Sequence, residues 1–118
     1  MNMPEHKYLK ISTEGRILII TISNPPNNYL PEAIFSELGA CRDMMLSPDF
    51  GAVVFTGEGN VFSKGADIGE AGRNPVGVDH DTVLYGNEMM TFISRLNKPV
   101  IAAINGPCFG AGLELALA

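Results

Sequence analysis

A chain of 118 residues is at most one small domain, long enough to bury a core but not two. Hydrophobic residues make up 46% and charged residues 18%, a balance that favours a folded chain over a disordered one. The net charge of −5 and the absence of any basic run argue against nucleic-acid backbone binding, while a small anion held by local contacts stays compatible. Cys41 and Cys108 form no C-x-x-C pair and imply no disulfide framework, which makes a reducing compartment the default. Charges fall within the first ten residues, no apolar signal region follows, and no apolar run approaches membrane-spanning length. The expectation is a cytoplasmic protein with neither nucleic acid nor membrane as partner.

In chain order, His6 to Ser12 reads as a short first strand, Glu14-Gly15 as a turn and Arg16 to Ser23 as a second, Ile-rich strand. Asn24-Pro25-Pro26-Asn27-Asn28 cannot be regular structure, because proline removes donors and fixes the backbone. Pro31 suits the first turn of a helix, and Ile34, Leu38, Cys41 and Met45 recur at helical spacing as one buried face through about Leu46. Gly51 to Thr56 is expected to be a strand buried on both faces. Gly57 to Asn60 turns, and Gly69 to Asp81 is glycine-rich, irregular and expected to be mobile. Tyr85, Met89, Phe92 and Leu96 mark one face of a second long helix. Pro99 to Ile104 is a continuous run of small and branched apolar residues, again read as a strand buried on both faces. Asn105-Gly106-Pro107 turns, and Gly110-Ala111-Gly112 opens a last helix running from Leu113 to Ala118. Strands alternating with helices imply an α/β fold with parallel crossovers.

Several motifs carry little. Gly57-Glu58-Gly59 and Gly110-Ala111-Gly112 each lack the third glycine of a dinucleotide fingerprint, and no phosphate-binding G-K-[ST] appears. His6 reads as part of a frayed terminus. Asp79, His80 and Asp81 are adjacent and do not easily converge on one metal, so a solvated loop is the better reading and no metal is expected. Cys108 reads as a bland loop thiol and the methionine pairs as core filler. Two stretches remain, Phe62 to Ile68 and Asn105 to Glu114. Each follows a strand and puts small residues where the backbone leaves the sheet. From neighbouring parallel strands, both loops emerge at the carboxyl edge, where one N–H from each could grip a single carbonyl oxygen beside Glu114.

These stretches, RILIITISNPPNN, GAVVFTGEGNVFSKGADI and NKPVIAAINGPCFGAGLELALA, resemble the crotonase superfamily, the enoyl-CoA hydratase/isomerase family, over nearly the whole chain. The resemblance implies a ClpP/crotonase-like spiral of β-β-α units, of which this is the N-terminal portion. It implies acyl-CoA thioester substrates, an enolate-like intermediate, and no separate cofactor, CoA being part of the substrate. The oxyanion-hole donors would be the backbone N–H groups of Ala66 and Ala111, with Glu114 as the first of two catalytic glutamates. Family members commonly have glycine where Ala111 stands. Ser63, Lys64, Gly65, Ala66, Asp67, Ile68 and Gly110 match the substrate- and CoA-binding strip, where Lys64 either faces a CoA phosphate or is a solvated surface lysine. Homotrimers, or hexamers built from two trimers, are implied as well.

Members are about twice this length. The resemblance therefore places the end of residues 1–118 inside the helix carrying Glu114, with the second glutamate some twenty residues further on. A chain so truncated is expected to be weakly active or inactive and to have a poorly covered apolar face. Hydration of a 2-trans-enoyl-CoA to the 3-hydroxyacyl-CoA is the best single reaction. Isomerisation, decarboxylation, thioester hydrolysis and dehalogenation share the same oxyanion chemistry. A non-catalytic acyl-CoA-binding module and a nicotinamide-dependent reductase are the readings from other classes.

Overall fold

The computed structural model describes residues 6–66 and 80–118, and residues 80–83 by their backbone only. Strands β1 (Leu9–Glu14) and β2 (Ile17–Ile22) form an antiparallel hairpin with Glu14 opposite Ile17. Gly15 takes φ +58° at the first position of the two-residue turn, which suits the right-handed twist of the two strands. Helices α1 (Ala33–Ala40) and α2 (Arg42–Leu46) lead to β3 (Ala52–Gly57), which lies parallel to β2 with Ile17 beside Ala52 and Ile22 beside Gly57. Helix α3 (His80–Ser94) precedes β4 (Val100–Ala103), parallel to β3, and α4 (Ala111–Leu117) follows. The four-stranded sheet runs β1-β2-β3-β4, a β-hairpin extended by parallel crossovers.

The core follows the two periodicities of the sequence. Leu18, Ile20 and Ile22 of β2 and Val53 and Phe55 of β3 alternate inward, where Ile34 and Leu38 of α1, Met44 and Met45 of α2, and Met89 and Ile93 of α3 meet them. Phe62, just past β3, is fully buried among them.

Several expectations need correction. Neither β3 nor β4 is buried on both faces, because among the described residues the core covers only one side of the sheet. Ile101 stays 51% exposed and Ile104, beyond β4, 54%. A continuous apolar run says that a strand wants two covers; it does not say that both are present. The helix expected through Leu46 breaks at Cys41, where φ −88° and ψ −3° tighten the last turn of α1 and the Cys41 N–H bonds the Leu38 carbonyl. Pro31 lies ahead of that helix rather than in its first turn, and its carbonyl accepts the Ile34 N–H. The buried face of α3 carries Gly86, Met89 and Ile93, shifted by one position from Tyr85 and Phe92, and Leu96 lies beyond the helix. His80 and Asp81 begin α3 rather than sitting in a loop, while residues 67–79 of the glycine-rich stretch lie outside the described residues.

His6 is not frayed. Its ring is nearly buried, with Nδ1 3.6 Å from the Glu37 carboxylate and Nε2 3.8 Å from Cys41 Sγ. Glu37 in turn accepts the Tyr8 N–H at 2.9 Å, so α1 holds the start of the chain. Burial first, and the Glu37 charge second, push the Cys41 thiol up to about 11.

Two outcomes follow for stability. Ile20→Ala should cost ~2–5 kcal/mol by urea unfolding, against under ~1 kcal/mol for the half-exposed Ile101→Ala. The raised Cys41 pKa keeps the native thiol neutral while an unfolded chain ionises above 9.0. Its contribution is therefore full below pH 9.0 and is lost, on the order of 2 kcal/mol, as pH rises toward about 11. Unfolding curves of Cys41→Ala across that window should lack this decline.

Candidate active site

Because β3 and β4 are parallel neighbours, the segments that follow them leave the sheet at the same edge. They then run side by side. Ser63 and Cys108 form a parallel bridge; the Phe62 and Ser63 N–H groups donate to the Pro107 carbonyl at 3.1 and 3.3 Å, and the Phe109 N–H donates to the Ser63 carbonyl at 3.2 Å. The approach is main chain on main chain. A Cβ on Gly106 would sit 1.8 Å from the Asn60 carbonyl oxygen, and one on Gly112 2.4 Å from that of Ser63, distances no side chain tolerates.

Two asparagines hold this contact. Asn105 donates from Nδ2 to the Gly57 and Gly59 carbonyls, each at 2.8 Å, and accepts the Gly57 N–H at Oδ1. Fully buried Asn28, with φ +50°, donates from Nδ2 to the Glu58 and Val61 carbonyls at 3.0 and 2.8 Å and accepts the Asn24 N–H. From the sequence Asn28 is expected only to lie outside regular structure and Asn105 in a turn. The available signal was their type, since asparagine tolerates a left-handed backbone and carries both donor and acceptor.

The expected site residues divide as follows. Gly65 is buried with φ +86°, and a Cβ on it would lie 2.9 Å from the Ala111 nitrogen. Ala66 comes next and is exposed, so the Ala66 and Ala111 amides flank one glycine. Among the described residues no acceptor takes either N–H. Gly110, with φ +59°, opens α4, and its carbonyl accepts the Glu114 N–H at 3.1 Å. The Gly110 carbonyl thus points into the helix, and the Ala111 N–H, trans to it across the peptide, points out of the helix end. Glu114 is exposed one turn further on. Ser63 is fully buried, its hydroxyl donating to the Asn28 carbonyl at 2.8 Å and accepting the Gly65 N–H at 3.1 Å. Lys64 is half-buried and donates its own N–H to the Asn27 carbonyl. Asp67 and Ile68 lie outside the described residues.

Cys108 is partly buried, and that burial raises its thiol, which disfavours a thiolate nucleophile. Among the described residues no group of three His, Cys, Asp or Glu side chains is arranged to hold a metal, and no helix is long and apolar enough to cross a membrane. The open groove between α2 and α3, lined by Arg42, Leu84, Phe92 and Arg95, shares no residue with these loops.

Comparison with known proteins agrees with this arrangement. The family described as enoyl-CoA hydratase/isomerase matches residues 12–118. A probable enoyl-CoA hydratase of Bacillus subtilis is 38% identical over 93% of this chain and 43% of its own length. The 4-chlorobenzoyl coenzyme A dehalogenase-2 of an Arthrobacter species is 42% identical over 100% of this chain and 45% of its own. The crystal structure of an enoyl-CoA hydratase/isomerase from Xanthobacter autotrophicus superposes with a TM-score of 0.86 at 29% identity, covering 96% of this chain and 44% of that one. The chain thus spans somewhat under half the length of these two relatives. On its sheet order, its joined loops and a family match reaching from residue 12 to residue 118, the chain has the crotonase fold and belongs to the enoyl-CoA hydratase/isomerase family.

Proposed function

We propose that the protein carrying this chain processes acyl-CoA thioesters, and that its reaction is hydration of a 2-trans-enoyl-CoA to the 3-hydroxyacyl-CoA. What supports the reading is that the Ala111 nitrogen lies against Gly65, the residue directly before Ala66, and that neither the Ala66 nor the Ala111 amide is engaged by another described residue. A thioester oxygen held by both would gain negative charge as its enolate forms. Each fixed donor of that kind is worth roughly 3–4 kcal/mol of barrier. Drawing electron density toward the carbonyl leaves the β-carbon of the enoyl group open to water. Glu114, exposed one helical turn from Ala111, deprotonates or orients that water as general base. The α-carbon must then be protonated, work for the second carboxylate that the family resemblance implies.

CoA itself supplies the handle, and the reading calls for no further cofactor. The strip from Ser63 to Ala66, continuing to Asp67 and Ile68, borders the CoA moiety through its backbone, with Lys64 opposite a phosphate and Gly110 leaving space for the thioester. Trimers, or hexamers made of two trimers, and a cytoplasmic location belong to the same reading. The apolar side chains of Ile101, Ile104, Phe109 and Leu117 left open along β4, the loop after it and α4 offer a surface for further protein to cover.

A second reading is favoured by the 42% identity to the 4-chlorobenzoyl coenzyme A dehalogenase of Arthrobacter. The same polarised carbonyl would draw charge from an aryl ring and expose its halogen-bearing carbon to attack. Chloride release from 4-chlorobenzoyl-CoA without hydration of crotonyl-CoA would select it.

For the leading reading, crotonyl-CoA hydration is followed by loss of the enoyl thioester absorbance. Glu114→Gln should lower kcat by ~10²–10⁴-fold; an unchanged rate would remove Glu114 from the mechanism. Gly65→Ala forces a side chain onto φ +86° and against the Ala111 nitrogen. Parting the two amides by even about 1 Å should cost ~10²-fold in kcat.

A further inference from the structure

We propose that Asn28, acting through Ser63, is a positioning residue that aims the Ala66 amide at the substrate carbonyl. The inference rests on the oxyanion reading of Ala66 and Ala111 given above.

The orientation of the Ala66 N–H is decided by the peptide that joins it to Gly65. That peptide is trans, the cis bond of the described residues being Pro25–Pro26, so the N–H points opposite to the Gly65 carbonyl. Both ends of Gly65 are tied. Its carbonyl accepts the Leu30 N–H at 2.9 Å, and its N–H donates to Ser63 Oγ at 3.1 Å. Ser63 Oγ–H donates in turn to the Asn28 carbonyl at 2.8 Å, and the Lys64 N–H donates to the Asn27 carbonyl at 3.2 Å. Segment 27–30 therefore grips the loop 63–65 at successive points, and the Ala66 N–H is left pointing away from Leu30.

Asn28 is the residue that gives segment 27–30 its shape. A left-handed backbone at φ +50° is uncommon outside glycine and is found most readily at asparagine. Its side chain fixes the same turn from within, taking the Asn24 N–H at 3.0 Å and donating to the Glu58 and Val61 carbonyls. The Asn28 side chain is fully buried, so its amide serves the protein and not a ligand. Ser63 is equally enclosed, and its hydroxyl is occupied by protein partners as both donor and acceptor. The two side chains hold a donor in place without themselves reaching what that donor binds. A flexible glycine at position 65, needed for the close approach to Ala111, makes such an external brace necessary: with φ +86° permitted, Gly65 would otherwise sample many orientations of the next peptide.

The test reads carbonyl polarisation directly. The probe is 4-(dimethylamino)cinnamoyl-CoA, whose absorption moves to longer wavelength when its thioester carbonyl is polarised. The proteins compared are wild type, Asn28→Gly, which keeps the positive φ but loses the amide, and Ser63→Ala, which removes only the relay. Far-ultraviolet circular dichroism establishes that each is folded, and Ser63→Ala alone decides the matter where Asn28→Gly does not fold. The expected result is a red shift in wild type that falls by at least half per bound probe in the variants. Kd for the probe should change less than tenfold, and kcat for crotonyl-CoA should drop about 10²-fold with KM within threefold. A full-sized shift per bound probe in both variants, beside a normal wild-type shift, overturns the positioning role and leaves the oxyanion reading standing. Absence of the shift in wild type overturns the oxyanion reading and this inference with it.

Discussion

The structure depends on a contact in which two stretches of main chain touch without intervening side chains. After β3 and β4 the chain leaves the sheet at one edge, and residues 60–66 lie directly on residues 106–112. Ordinary side chains would keep such backbones several ångströms apart. Glycine at 106 and 112 removes that spacer, and the freed carbonyls and amides find partners in each other or in Asn28 and Asn105. Both asparagines reach the Val61 carbonyl, at 2.8 and 3.3 Å, so the turn after β3 is held from two sides. A buried amide pairs several backbone groups at once and leaves few orphans, a role no apolar side chain fills.

This arrangement links the sheet to the candidate chemistry. Parallel pairing of β3 with β4 sets where the loops start, and apolar burial of Phe55, Phe62 and Leu115 keeps the strands, the loop and α4 in one body. Within that body the loop 63–65 is tied to Asn27, Asn28 and Leu30. Such ties matter to the oxyanion proposal, because a donor of that kind contributes only when it is already in place as charge develops. Asn28 and Ser63 beside this loop are fully buried, and the Ser63 hydroxyl donates to the Asn28 carbonyl.

The other face of the sheet obeys a different rule. Ile17 and Ile101 on that face, with Ile104 just beyond β4, remain open, and Leu113 and Leu117 of α4 are exposed as well. Where such side chains lie together they are of the kind that other protein covers, as the proposed reading expects. The lengths of the relatives fit that view, since the matched region is 43% of the Bacillus subtilis hydratase and 45% of the Arthrobacter dehalogenase.

Much of this was legible in the residues themselves. The Ile-rich strand β2, the helical spacing of Ile34 and Leu38, and turn chemistry at Gly15 and at Asn105-Gly106 follow from local propensity and period. Either small-residue loop alone reads as an ordinary glycine turn; the two together, each following a strand, are the more specific signal. What the sequence could not decide was everything requiring a partner distant along the chain. Which of Asn24, Asn27 and Asn28 would turn left-handed and become buried depended on carbonyls thirty or more positions away. His6 looked like a loose end until α1 supplied Glu37 and Cys41 around it. The apolar run at Pro99 to Ile104 showed that the strand has two apolar faces but not whether either would be covered, and Ile101 and Ile104 stay half exposed. Hydrophobicity is a property of single residues, whereas hydrogen-bond partnership and burial belong to pairs, and the pairs exist only once the chain has folded.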